Sequence, residues 1–107
     1  TNSTPSARRD HNMVFSDVRG GLIVFGGRNG DTYYNDLSLY KLDNNAWSAY
    51  EPTDCVAPLP RAGAAMALLT TQKRLYIFGG SNGTHVMNDL WYWTFGKLCV
   101  TCHCLTR

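Results

Sequence analysis

The feature that most constrains this chain is an internal repeat. Residues 58–95 match residues 5–42 at a fixed spacing of 53 residues, and no gap is needed. The identities concentrate in a hydrophobic run that ends in Phe-Gly-Gly (residues 25–27 and 78–80) and in an Asn-Asp-Leu triplet (residues 35–37 and 88–90). A period near 50 residues is typical of propellers and solenoids, whose units bury their faces only against neighbouring units.

Composition excludes several classes of protein. The 107 residues carry a net charge of +2 with scattered basic residues, whereas nucleic-acid binding requires a basic patch or stripe. No apolar run approaches the roughly 20 residues of a membrane span, so we expect neither a nucleic-acid partner nor a membrane span. No secretory signal pattern begins the chain, but this absence says little about the compartment. We expect a cytoplasmic protein. Secretion stays the alternative, because the chain starts at Thr1 and not at Met.

The sequence of each repeat predicts a series of short strands. Apolar stretches rich in β-branched and aromatic residues, separated by Gly, Asn, Asp and Pro, predict strands at residues 12–15, 22–25, 37–42 and 47–50. The second repeat predicts strands at residues 64–69, 75–78 and 90–95. The runs before the paired glycines are continuously apolar, as in a strand that is covered on both faces. We find no helical periodicity, so the sequence predicts an all-β chain made of two four-stranded antiparallel meanders.

These motifs resemble the Kelch repeat, whose pattern is Pro-x-x-Arg-x-x-His, an apolar run ending in Gly-Gly, Asn-Asp-Leu, Tyr and a later Trp. The first repeat carries the whole pattern, in Pro5, Arg8, His11, Gly26, Gly27, residues 35–37, Tyr40 and Trp47. The second carries Pro58, Arg61, Gly79, Gly80 and residues 88–90. It departs from the pattern at Ala64, which replaces His11, and at Val100, which replaces Trp47.

The resemblance implies a β-propeller in which each repeat is one blade and the remaining blades lie outside this chain. We assign residues 5–54 to the first blade and residues 58–98 to a second blade with an incomplete last strand. Residues 99–107 then form a Cys-rich tail, which we expect to be disordered or non-native. Its Cys-x-x-Cys-His matches the haem attachment pattern, and Cys99, Cys102 and Cys104 are conceivable zinc ligands. Both readings are weaker than a tail without a ligand, and we expect no metal or cofactor.

Several residues are assigned structural roles. The paired glycines at 26–27 and 79–80 mark a turn or a tight contact and not a phosphate site, since no helix follows them. Arg8 with Asp36, and Arg61 with Asp89, recur in the same register and are predicted to pair. Trp47, with Trp91 and Trp93, is predicted to pack between blades. His11 is interpreted as a buried or channel-lining residue and not as a metal ligand.

The resemblance also implies a function. Kelch blades form a rigid scaffold whose variable loops meet at one face, so we predict a protein-interaction module, such as a scaffold or adaptor, that is not an enzyme. The partner is a protein whose identity the sequence does not specify. The loops at residues 28–34 and 81–87 differ most between the repeats and supply the predicted contact residues Arg28, Asn29, Asp31, Tyr33, Tyr34, Asn82, His85 and Met87. The alternatives are blades of a galactose-oxidase-like enzyme, with catalytic residues elsewhere, and a purely architectural pair of blades.

Overall fold

The computed structural model describes residues 4–50, 57–95 and 100–104, and every regular element in these ranges is a β-strand. This confirms the predicted all-β class. The strands are β1 (Asn12–Ser16), β2 (Gly21–Phe25), β3 (Arg28–Asn29), β4 (Thr32–Tyr33), β5 (Leu37–Lys41), β6 (Ala46–Tyr50), β7 (Ala65–Leu69), β8 (Arg74–Phe78), β9 (Leu90–Phe95) and β10 (Val100–Cys104).

The strands form two four-stranded antiparallel meanders, one for each repeat. Blade 1 has the order β1-β2-β5-β6, and blade 2 has the order β7-β8-β9-β10. A third, two-stranded sheet of β3 and β4 lies within the loop that joins β2 to β5. The two innermost strands, β1 and β7, lie next to each other. The structure is therefore two adjacent propeller blades, as the repeat predicted.

The last strand corrects the expectation for the tail. Residues 100–104 pair with β9, so blade 2 has a fourth strand, and disorder is the wrong prediction for them. Trp93 lies opposite Cys102 in this hairpin, just as Tyr40 lies opposite Trp47 in blade 1. Cys102 and not Val100 therefore occupies the position of Trp47, because Cys102 follows Trp93 by nine residues whereas Trp47 follows Tyr40 by seven. An edge strand pairs through its backbone, so it forms without the expected Trp. Cys99 lies outside the described residues.

The hydrophobic core lies between the two blades. Blade 1 contributes Ile23, Phe25, Leu37 and Leu39, and blade 2 contributes Leu75, Ile77, Trp93 and Phe95. Ring centroids are 5.0 Å apart for Phe25 and Trp93 and 5.4 Å apart for Tyr50 and Phe95, which are favourable separations for tilted aromatic pairs. The sheets are thus held together by apolar and aromatic burial from both repeats.

The two central strands differ in how fully they are covered. β2 is buried along nearly its whole length, as its continuous apolar sequence predicted. β8 alternates instead, and Phe78 at its end is 50% exposed. Phe78 is exposed because it lies on the face of β8 that points away from blade 1, whereas its counterpart Phe25 faces blade 2.

Candidate interaction surface

The two variable loops begin and end at the same edge of the sheets, which we call the loop edge (residues 26–36 and 79–89). Each loop is fixed by backbone hydrogen bonds that recur at the spacing of 53 residues. Gly26 N donates to Asp36 O, and Gly79 N donates to Asp89 O, each at a distance of 3.2 Å. Two further bonds close the loops, from Tyr34 N to Gly27 O at 3.0 Å and from Met87 N to Gly80 O at 2.8 Å. The scaffold at the base of both loops is therefore the same.

The second glycine of each pair explains why the Gly-Gly motif recurs. Gly27 has φ +103° and Gly80 has φ +100°, a region that favours glycine. A Cβ at Gly27 would lie 2.9 Å from both Arg9 O and His11 Cβ, and a Cβ at Gly80 would lie 2.9 Å from Ala62 O. Both glycines thus allow the loop to pass close to the segment that precedes the innermost strand.

The two predicted Arg–Asp pairs are present and bidentate. Arg8 Nη1 and Nη2 donate to Asp36 at 2.5 and 3.1 Å, and Arg61 Nη1 and Nη2 donate to Asp89 at 2.6 and 2.9 Å. Nη1 also donates to the carbonyl of the first glycine of the Gly-Gly motif, at 3.1 Å in both repeats: Arg8 bonds Gly26 O, and Arg61 bonds Gly79 O. Each arginine therefore ties the segment before its innermost strand to the base of its loop.

The two pairs differ in their surroundings. The side chain of Arg61 is 1% exposed and that of Asp89 is 22% exposed, against 6% and 45% for Arg8 and Asp36. Arg61 lies at the junction, where its backbone accepts from Gly27 N at 2.9 Å and donates to Tyr34 O at 3.0 Å. Hydrogen bonds from Arg61 lower the pKa of the Asp89 carboxyl to about 2, and a bond from Trp91 Nε1 acts in the same direction.

The loop of blade 1 is a short hairpin. β3 and β4 pair Arg28 with Tyr33, and Arg28 Nε contacts Asp10 at 3.1 Å. Asn29 Nδ2 donates to Ala7 O at 3.2 Å, which attaches the hairpin to the preceding segment. The ring of Tyr34 lies under the Arg8 guanidinium, 4.1 Å from its carbon. The Arg8 guanidinium thus holds Tyr34 in place, and its role as a contact residue stays a prediction.

The loop of blade 2 has a different local structure. Asn82 Oδ1 accepts from the backbone N–H groups of Thr84 at 3.0 Å and His85 at 2.8 Å, and Ser81 Oγ accepts from Gly83 N at 3.1 Å. Such bonds from short polar side chains to nearby backbone groups fix a turn. Asn82 is therefore committed to loop structure, and the half-buried Met87 is bonded through its backbone to the loop base.

The structure brings the two loops into contact. The Tyr33 ring of blade 1 lies against Gly83 of blade 2, so closely that a Cβ there would be 2.9 Å from Tyr33 Oη. Besides Asn29, whose amide is bonded to Ala7 O, the exposed side chains of residues 28–34 and 81–87 are Asp31, Thr32, Thr84, His85 and Val86, of which Val86 is 89% exposed. Asn29, Asp31 and His85 were among the predicted contact residues. Thr32, Thr84 and Val86 were missed, although their place at the least similar loop positions was a usable signal.

Two further assignments concern the tryptophans and His11. Trp93 packs between the blades as predicted, but the ring that Trp47 contacts is Tyr40 of its own sheet, at 5.1 Å. Trp47 is thus on the face of blade 1 that points away from blade 2. His11 is exposed and lies beside Gly27. Within the part of the chain that the structure describes, no group of three or more His, Cys, Asp and Glu side chains could hold a metal ion.

Sequence comparison identifies the family to which these blades belong. The family model described as the KLHDC2/KLHL20/DRC7 Kelch-repeats domain matches residues 1–103. This chain belongs to the Kelch-repeat family. Kelch repeats generally mediate protein interactions, and most domains of this kind are not enzymes. The Kelch motifs of both repeats thus lie within a match that extends into β10 and ends at residue 103.

Curated relatives carry the same repeats within much longer chains. Tip elongation aberrant protein 1 of Schizosaccharomyces pombe is 38% identical over 81% of this chain and 8% of its own length. The flagellar outer-arm dynein alpha chain of Chlamydomonas reinhardtii is 35% identical over 90% of this chain and 2% of its own. Rho GTPase-activating protein gacHH of Dictyostelium discoideum is 36% identical over 89% of this chain and 7% of its own length. The chain therefore spans less than a tenth of each of these relatives. In the described residues, no helix is long and apolar enough to cross a membrane.

Proposed function

We propose that this Kelch chain is a non-enzymatic protein-interaction module that binds a protein partner through the exposed side chains of the loop edge. The observation that carries the proposal is the contact of Tyr33 with Gly83, which joins the two variable loops into one surface. Five side chains are presented there by loops that the scaffold already holds in place. A pre-ordered loop loses little conformational entropy on binding, which favours affinity.

The chemistry of this surface is mixed. Asp31 supplies a carboxylate, His85 an imidazole, Thr32 and Thr84 hydroxyls, and Val86 an exposed apolar group. Such a set suits the surface of a folded protein or an extended peptide with polar and apolar groups, and it lacks the basic stripe that nucleic acid would require. The cytoplasmic location stays a prediction.

The test begins with affinity capture of partners from the source cell, followed by binding measurements with a purified partner. We expect the double variant Asp31→Ala, His85→Ala to bind at least about 10-fold more weakly, or about 1.4 kcal/mol, with the fold unchanged. The matched control is Asp43→Ala, because Asp43 is also an exposed aspartate but lies in the turn between β5 and β6, at the opposite edge of the sheet.

A second set of variants tests the position of the site. Serine at Cys99, Cys102 and Cys104 together should leave the affinity unchanged, because β10 is the outermost strand of blade 2 and not part of the loop edge. Loss of the partner in the triple-serine variant, or in Asp43→Ala as strongly as in the double variant, would place the site elsewhere.

A further inference from the structure

A cleft lies between the two blades, at the edge of the sheets opposite the loop edge. Its volume is about 410 Å³, within the range of about 300–1,000 Å³ that is usual for small-molecule sites. Blade 1 contributes the end of β1 and the turn after it, and blade 2 contributes β7, the turn after β7 and the end of β9. The cleft is therefore formed between the two facing sheets and not at an outer face.

The walls of the cleft are mainly apolar. Val18 of blade 1 and Leu68 and Phe95 of blade 2 line it. Phe95 is 6% exposed and its ring centroid lies 5.4 Å from that of Tyr50, so this wall belongs to the packed core between the blades. Val18 is 67% exposed, although it is apolar. A ligand that covers these side chains removes apolar surface from water, which favours binding.

Two cations lie among the lining residues. The guanidinium carbon of Arg19 is 5.2 Å from the ring centre of Phe95, so the charge is held over one wall of the cleft. Lys73 lies in the turn between β7 and β8, and its ammonium forms no ion pair within the described residues. No described residue that lines the cleft is acidic, and Asp17, in the same turn as Arg19, does not line it. The cleft thus combines apolar walls with positive charge.

A buried hydroxyl at the cleft lacks an acceptor. Ser16 is 3% exposed and lines the cleft, and its Oγ accepts from Arg19 N at 3.1 Å. No group in the described ranges accepts a hydrogen bond from this hydroxyl. Buried polar groups are normally satisfied, so an acceptor supplied by a ligand completes the bonding of Ser16. Thr70 and Thr94 add two further hydroxyls to the lining.

We propose that this cleft binds a small organic carboxylate with an apolar body, such as a medium-chain fatty acid. The carboxylate pairs with Arg19 and Lys73 and accepts from the Ser16 hydroxyl, while the body lies against the three apolar walls. Arginine suits this role because its planar guanidinium donates two parallel hydrogen bonds to a carboxylate. The site lies at the other edge of the sheets from the proposed protein-binding surface and does not depend on it.

Titration of octanoate into the isotope-labelled chain, followed by NMR, tests the site. We expect saturable binding with a Kd of about 1 mM or below, with amide shifts at residues 16–19, 68–73 and 94–95 and none at the loop edge. Two matched probes separate the parts of the ligand, since acetate lacks the apolar body and octanol lacks the charge. Each should bind at least about 10-fold more weakly than octanoate.

Two variants test the two kinds of contact. Arg19→Gln should weaken octanoate binding at least about 10-fold, and unchanged octanol binding would show that the cleft is intact. Its control is Arg9→Gln, which removes the same charge from an exposed arginine outside the cleft. Val18→Asp should abolish octanoate binding, because it places a second carboxylate in the cleft. Its control is Leu59→Asp, since Leu59 is 65% exposed and lies outside the cleft.

Three results would overturn the proposal. Octanoate shifts that do not saturate, or that map to the loop edge, would exclude a site in the cleft. Equal affinities for octanoate and octanol would exclude recognition of the carboxylate. An equal loss in the Arg9→Gln and Arg19→Gln variants would reduce the effect to overall charge. The cleft variants lie outside the loop edge and should leave the affinity for a protein partner unchanged, so failure of octanoate binding is distinguishable from failure of the proposed function.

Discussion

The Arg–Asp pairs of the two repeats are chemically the same interaction in two environments. Arg61–Asp89 lies at the junction between the blades, where the arginine side chain is 1% exposed and the aspartate 22%. Arg8–Asp36 lies at the free side of blade 1, and its aspartate is 45% exposed. The residues and their bidentate geometry agree, so the difference arises from the neighbouring blade. In a repeat protein the energy of a conserved contact is thus set partly by the adjacent unit.

The largest expected difference comes from breaking the two pairs. Arg61→Ala removes the two guanidinium hydrogen bonds to Asp89 and the one to Gly79 O at the junction, and loss of one partner of a buried pair costs about 3–5 kcal/mol. Arg8→Ala should cost about 1 kcal/mol, nearer to the value for a solvent-exposed pair. Urea denaturation of the two variants measures the difference directly. Equal losses of stability would show that the junction does not strengthen the pair.

Glycine substitutions sharpen the comparison between the junction and the free loop tips. Gly27→Val places a branched side chain 2.9 Å from Arg9 O, whereas Gly30, at φ +60°, has no neighbouring atom within 4 Å of a Cβ. Valine is more strained at φ +103° than at φ +60°, which lies within the small left-handed region, so backbone strain and steric clash both act against Gly27→Val. We expect both variants to lower the free energy of unfolding, and the loss for Gly27→Val should exceed the loss for Gly30→Val by at least about 1 kcal/mol. Thermal or urea denaturation that ranks the two variants alike would contradict this.

A third prediction is a pH dependence that belongs to the junction pair. The pKa of Asp89 is held at about 2, below its ordinary value of 3.8, so the folded state releases this proton more readily than the unfolded state. The resulting stabilisation is complete above about pH 4 and is lost as the pH falls towards 2. Denaturation midpoints of the wild type should therefore fall across this window, and Asp89→Asn should show a shallower fall. An unchanged slope in the variant would remove Asp89 as the cause.

The sequence predicted those features that depend on residues repeated in register. Strand positions, the Arg8–Asp36 and Arg61–Asp89 pairs and the two-blade architecture all follow from identities at one spacing. The β3–β4 hairpin and the turn fixed by Asn82 were not predicted, because the loops differ between repeats and their shapes depend on local hydrogen bonds. The fourth strand of blade 2 was missed because the expected Trp is absent, although backbone pairing needs no such side chain. The contact between the Arg8 guanidinium and the ring of Tyr34 was not predicted either, because nothing in the residue pattern links these two side chains.

The bonds from Gly27 N to Arg61 O and from Arg61 N to Tyr34 O have a consequence for biosynthesis. The loop of blade 1 makes two backbone hydrogen bonds to Arg61 of the next repeat, so blade 1 of a nascent chain lacks these bonds when the β6 strand leaves the ribosome. Vectorial folding should instead advance one unit behind translation, with each blade completed by the start of the following one. A force-sensitive arrest-peptide profile should therefore show its first folding transition only after residue 61 has emerged, and a transition at residue 50 would exclude this order.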